Sequence, residues 1–107
     1  MADLQWNKAF ALEQTAGDEE LLEELLVIFK DSSHSDLEQL QQAVAANDPS
    51  GVMRAAHSIK GAAATLGLEG IRQVSMAMET DSRNNSITVA QETLDLLIDL
   101  LEHLKNL

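Results

Sequence analysis

Apolar residues recur at intervals of three and four along most of the chain, which is the spacing of helices with one buried face. The clearest series are Leu22, Leu25, Phe29, Leu37, Leu40 and Val44, then Ile71, Val74 and Met78, and finally Leu94, Leu97, Leu101 and Leu104. No segment alternates apolar and polar residues between turns, as a half-buried strand would. The pattern therefore predicts an all-α protein.

Turn and capping residues divide this pattern into five helices. We expect these at about 3–14, 18–46, 49–66, 69–82 and 87–105. Asp18 and Asp48 are suitable N-caps, because a short acceptor side chain can bind a free backbone N–H of the first turn. Pro49 suits a first helical position, and Gly67 suits the left-handed residue that follows a helix.

Amphipathic helices joined by such short connections are typical of a bundle. We therefore expect an antiparallel four-helix bundle with an additional short N-terminal helix. In that short helix, Leu4, Phe10 and Leu12 are the predicted packing residues, and Trp6 is its predicted anchor.

Length and composition limit the class of protein. A chain of 107 residues is long enough for one domain, which we expect to span 1–107, and a hydrophobic content of 45% argues against disorder. There is no cysteine and no apolar run long enough for a membrane span. A net charge of -11 disfavours nucleic acid and anionic membranes as partners. We expect a cytoplasmic monomer.

The distribution of charge is more informative than its total. No Asp or Glu occurs between Asp48 and Glu69, whereas Arg54 and Lys60 both lie in that interval. The third predicted helix is thus a basic region within an acidic sequence. A partner with a negatively charged site could be steered towards it.

The same helix carries the candidate chemistry. His57, Lys60, Gly61 and Ala64 are spaced three or four residues apart and share one face. The opposite face is apolar and comprises Val52, Ala55, Ile59, Ala62, Ala63 and Leu66. A mid-helix glycine costs about 1 kcal/mol relative to alanine. Gly61 therefore serves a close approach, either of a neighbouring helix or of an incoming group, and Lys60 is either a solvated charge or a counter-charge for phosphate.

No other catalytic, metal-binding or nucleotide-binding pattern stands out. The chain has no HExxH sequence, and its glycine-containing stretch at 61–67 lacks the Gly-Lys-Ser/Thr of a phosphate-binding loop. His34 and His103 are isolated, and we interpret both as surface residues.

The combination of His57, Lys60, Gly61 and Gly67 resembles the signature of the histidine-containing phosphotransfer domain family. The filler of Ala62, Ala63 and Ala64 fits that signature, and the resemblance extends over about 10–105. It implies a phosphorelay intermediate without kinase activity of its own. By this resemblance His57 accepts a phosphoryl group from a receiver-domain aspartate and passes it to another.

The resemblance also assigns expected roles around His57. Lys60 would stabilise phosphate charge, while Arg54, Gly61 and Ala64 would belong to the surface that docks the receiver domain of a response regulator. The chain would need no cofactor, since the receiver would supply Mg²⁺. It would be a free-standing relay protein or a domain of a hybrid sensor kinase.

Two other functions stay open on the residues alone. One is a helical adaptor that binds receivers without relaying phosphate. The other is a phosphohistidine phosphatase or small hydrolase, which no second acid, base or metal site supports.

Overall fold

Five helices follow one another along residues 3–107, which are the residues that the computed structural model describes. They are α1 (Lys8–Gln14), α2 (Glu19–Ala45), α3 (Pro49–Thr65), α4 (Glu69–Arg83) and α5 (Thr88–Leu104). Within that range no strand forms, and β-type pairing is limited to a bridge between Trp6 and Leu68. The predicted all-α class is confirmed. Residues 1 and 2 of the predicted domain lie outside the described residues.

Helices α2 to α5 form the bundle. Helix α3 packs against α2 and α4, α4 packs against α5, and α5 packs against α2. At about 1.5 Å per residue, α2 alone is about 40 Å long, which accounts for the longest dimension of the molecule, 41 Å. None of the helices in residues 3–107 combines the length and the apolar character needed to cross a bilayer.

The predicted boundaries of α2 to α5 agree with the structure to within one residue. The Asp18 side chain accepts a hydrogen bond from the Leu21 backbone N–H at 3.1 Å, as an N-cap should. Asp48 occupies the N-cap position of α3, but its side chain makes no capping bond. Gly67 has a φ of +69, the left-handed conformation predicted for it.

The predicted apolar faces supply most of the core, and Leu68 and Leu100, which were not predicted, add to it. Its largest fully buried apolar side chains are Leu22, Leu40, Val52, Ile59, Leu68, Ile71, Met78, Leu97, Leu100 and Leu104. Other residues of the predicted apolar faces are only partly buried and pack against this core, namely Leu25, Leu37, Val44, Val74 and Leu94. The apolar side of α3 thus faces the interior, which leaves its other side at the surface.

The N-terminal segment differs from the prediction. Helix α1 begins at Lys8 instead of near residue 3, because Asn7 caps it by accepting a hydrogen bond from the Phe10 N–H. The preceding residues lie against the turn between α3 and α4, where the Trp6 indole N–H donates to the Leu66 carbonyl at 2.9 Å. Trp6 is therefore the anchor that the sequence predicted.

The prediction that Phe10 packs inward is wrong. Phe10 is exposed, and the buried residue of α1 is Ala11. Helix α1 turns Ala11 towards the bundle and Phe10 towards solvent.

Candidate functional site

His57 lies at the middle of α3 on the side that faces solvent. Its side chain is 64% exposed. The buried residues of α3 are Val52, Ala55, Ala56, Ile59 and Ala63. The predicted apolar face is therefore buried, apart from Ala62, which is only partly buried. The core holds the helix, and the imidazole remains accessible.

A buried carboxylate on α4 binds this imidazole. Glu79 Oε2 lies 2.5 Å from His57 Nδ1, and the Glu79 side chain is only 3% exposed. Glu79 belongs to a polar strip of α4 that also contains Ser75 and Ser82, both buried. Helix α4 packs against α3, which brings the carboxylate to the ring.

Two cations complete the cluster. Lys60 Nζ donates to Glu79 Oε1 at 2.5 Å, and an Arg83 guanidinium nitrogen donates to Glu79 Oε2 at 3.0 Å. Lys60 is one turn after His57 on α3, and Arg83 is one turn after Glu79 on α4. Lys60 is thus not a free surface charge, since it is held by the same carboxylate that orients His57.

The surroundings of Glu79 keep it ionised. Burial raises its pKa, but the hydrogen bonds from Lys60 and His57 and the charges of Lys60 and Arg83 outweigh burial, so the pKa is lowered overall. An ionised carboxylate can only accept hydrogen bonds, and therefore Nδ1 of His57 must carry a proton. In the neutral imidazole the lone pair then lies on Nε2.

This lowered pKa predicts an acid-sensitive fold. Glu79 binds fewer protons in the folded state than in the unfolded state, so its contribution to stability is complete above about pH 4.5, its ordinary pKa. The contribution is lost as the pH falls through the lower folded-state pKa. We expect the melting temperature of the native protein to fall more steeply below pH 4.5 than that of Glu79→Gln. Thermal melts across pH 3–7 measure this difference, and parallel curves would contradict it.

Gly61 lies one turn beyond His57 at the open surface. A Cβ built on Gly61 would meet no atom within 4 Å. Of the two reasons considered for this glycine, close packing of a neighbouring helix is therefore excluded. Arg54 is exposed one turn before His57, and Ala64 is partly buried two turns after it. The structure places Arg54, His57, Gly61 and Ala64 along one side of α3.

The basic region predicted from the sequence is less basic in the folded protein. The interval without acids is real along the chain, but packing introduces Glu79 from α4 and Asp36 from α2. The Asp36 carboxylate accepts a hydrogen bond from the Ser58 hydroxyl at 2.7 Å, directly beside His57. A charge count along one helix misses both acids, because they come from its neighbours.

The site predicted from the sequence does not include Glu79 or Arg83. A signal for them exists in the sequence, since Glu79 falls next to Met78 on the inward side of α4 and a buried carboxylate requires a partner. Arg83, four residues later, is such a partner. The other two partners, His57 and Lys60, can be assigned only after α3 and α4 are packed together.

Comparison with known proteins gives a match at the level of the family. The family model described as Hpt domain matches residues 24–107. The match begins within α2, so the part of the resemblance that precedes residue 24 lies outside it. No curated protein and no solved structure gives a significant match. Since the family model covers most of the sequence, including all of α3, α4 and α5, the chain belongs to the Hpt domain family, the phosphotransfer modules of two-component and phosphorelay signalling that interact with receiver domains.

Proposed function

We propose that Nε2 of His57 carries the phosphoryl group in a phosphorelay. The observation that supports this most directly is the contact of Glu79 with Nδ1, because it leaves the lone pair of an exposed ring on Nε2. An imidazole with that lone pair free is a nucleophile near neutral pH. Phosphoryl transfer needs mainly positioning and charge stabilisation, so one exposed nucleophile on a rigid helix is sufficient on this side.

The exchange is balanced without any further reactant. The Nε2 lone pair attacks the phosphorus of an aspartyl phosphate on a receiver domain. The bond from phosphorus to the aspartate oxygen breaks, and its electron pair returns to the carboxylate. Transfer to a second receiver reverses these steps, breaking the P–N bond and returning the electron pair to Nε2. Mg²⁺ would be held by the receiver.

The receiver would dock on the side of α3 that carries His57. Gly61 leaves open space beside the ring, and Ala64 adds a small side chain one turn further. Arg54 is an exposed cation that could meet the acidic pocket of the receiver. The exchange would take place in the cytoplasm between receivers and one copy of this chain.

Incubation with a receiver domain labelled on its aspartyl phosphate tests this function. We expect the label to move to this chain as acid-labile, base-stable phosphohistidine and then to a second, unlabelled receiver. Binding without transfer would instead support the adaptor function. Release of inorganic phosphate that depends only on this chain would support a phosphatase.

Lys60→Ala is expected to slow transfer or shorten the lifetime of phosphohistidine, without abolishing acceptance. A charge-assisted contact is typically worth about 1.5–3 kcal/mol, and less where it is solvated. Lys60 is partly exposed, at 27%, so we expect the lower part of that range. Transfer rates and phosphohistidine decay at low salt measure the effect.

Lys105→Ala is the matched control for this variant. Lys105 is an exposed lysine near the end of α5 and pairs with Glu102. It should change neither rate nor lifetime, and its melting curve shows what loss of a surface ion pair costs. Unchanged kinetics in Lys60→Ala would reject a role for Lys60 in phosphate stabilisation.

A further inference from the structure

Residues 3–7, which we call the N-terminal strap, lie across the turn that joins α3 to α4. The Trp6 indole N–H donates to the Leu66 carbonyl at 2.9 Å, and the Asn7 backbone N–H donates to the Gly67 carbonyl at 2.8 Å. Carbonyls at the end of a helix have no partner within that helix. The strap therefore supplies two of the partners that the end of α3 needs.

The strap also binds the start of α4. Leu68 occupies the N-cap position of that helix and makes no side-chain capping bond. The Gly70 N–H, which belongs to the first turn of α4, donates instead to the Leu4 carbonyl at 2.9 Å. The Leu4 side chain is partly buried and packs against the core. One segment, about 60 residues away in sequence, thus caps the end of α3 and the start of α4 together.

Gly70 leaves the space that this arrangement requires. A Cβ on Gly70 would lie 2.6 Å from the Asp3 carbonyl oxygen and 2.9 Å from the Leu4 carbonyl oxygen, closer than real side chains approach such atoms. Gly70 does not have a positive φ, so α4 itself does not demand a glycine there. The close approach of the strap accounts for this glycine.

We infer, on the basis of the proposed function, that the strap holds α3 and α4 in the relative position at which Glu79 meets His57. The contact between these two side chains depends on how α4 is rotated against α3. Rotation of α4 about its axis would move Glu79 away from the ring and the Gly70 N–H away from Leu4 at the same time. The strap is then a positioning segment for the imidazole, and Trp6 is its anchor.

Gly70→Ala tests this inference, because the added methyl group must push the strap away from α4. Trp6 is the only tryptophan in the chain, so its fluorescence should shift to longer wavelength and acrylamide should quench it more strongly. Phosphorylation by phosphoramidate should slow by roughly tenfold, because a ring that Glu79 no longer holds spends less time in the reactive orientation.

The ring of His57 gives a second reading, which a loss of stability alone would not change. In ring ¹H–¹⁵N spectra of the unphosphorylated protein, the Nδ1–H of His57 should exchange with water faster in Gly70→Ala than in the native protein. All measurements are made at a temperature at which melting curves show both proteins to be folded. Ser50→Ala is the matched control, since it places alanine in the first turn of α3 at an exposed position. It should change none of these readings.

The inference is overturned if Gly70→Ala is folded and its strap is displaced, yet His57 keeps its native exchange rate and its native rate of phosphorylation. The strap would then only stabilise the fold. If Gly70→Ala does not fold, Trp6→Ala takes its place, because it removes the anchor without adding an atom to α4. Native readings at His57 in a folded Trp6→Ala would be equally decisive against the inference.

Failure of the native protein to accept phosphate would be a different result. It would remove the proposed function, whereas the exchange of the His57 Nδ1–H would still show whether the strap positions the ring.

Discussion

His57→Gln is expected to abolish phosphoryl acceptance and to leave the helical bundle folded. Glutamine has no nucleophilic lone pair on nitrogen, whereas its amide N–H can still donate to the carboxylate of Glu79. The core does not depend on the imidazole, because the ring is largely exposed and the buried face of α3 lies opposite. We therefore expect a change of less than about 1 kcal/mol in the free energy of unfolding. Labelled transfer from a phosphorylated receiver and a thermal melt measure the two quantities.

His34→Gln is the matched control. His34 is also an exposed histidine in the middle of a helix, with 68% of its side chain exposed, and it pairs with a glutamate four residues away. This variant should accept phosphate at the native rate. Full acceptance by a folded His57→Gln would refute the site assignment, and loss of folding would show that His57 acts as part of the core.

The sequence was sufficient for the long helices and insufficient for the N-terminal segment. The bounds of α2 could be predicted because its apolar spacing, Asp18 and the turn at Asn47 are all local signals. The start of α1 depends on a distant contact. Trp6 is bridged to Leu68, and a hydrogen bond between the Asn7 N–H and the Gly67 carbonyl, at 2.8 Å, holds the neighbouring residue. These partners are about 60 residues away in sequence, so no local pattern could show that residues 3–7 stay outside the helix.

The site, like the fold, could be predicted from the sequence only in part. His57, Lys60 and Gly61 lie on one helix at fixed spacing, so their shared face follows from helical geometry alone. Glu79 is 22 residues away, and its contact with His57 depends on how α4 is rotated about its axis against α3. The apolar residues of α4 show which side is buried, but they do not determine which polar residue at the edge of that side meets the ring. Glu79 could therefore be identified as the partner of His57 only once α4 was seen packed against α3.

Substitutions at Gly61 are expected to leave the protein folded, and a large side chain there is expected to slow phosphoryl transfer. The structure shows open space where a side chain would project, and this glycine is not in the left-handed conformation that favours glycine. Gly61→Ala should therefore stabilise the fold by about 1 kcal/mol, which raises the melting temperature of a domain of this size by roughly 4–8 °C. Gly61→Gln should also fold, yet it should transfer poorly with a receiver, because its side chain occupies the space beside His57.

A small phosphodonor distinguishes steric access from damage to the site. Phosphoramidate needs little room, so Gly61→Gln should accept from it at nearly the rate of the native protein while its exchange with a receiver is slow. Ala77→Gln is the matched control, because Ala77 is exposed on α4 and lies on nearly the opposite side of that helix from Glu79. It adds the same side chain away from His57 and should leave both reactions unchanged. Equal losses with receiver and phosphoramidate in a stably folded Gly61→Gln would mean that the added side chain disturbs His57 itself, and the steric account of this glycine would then be wrong.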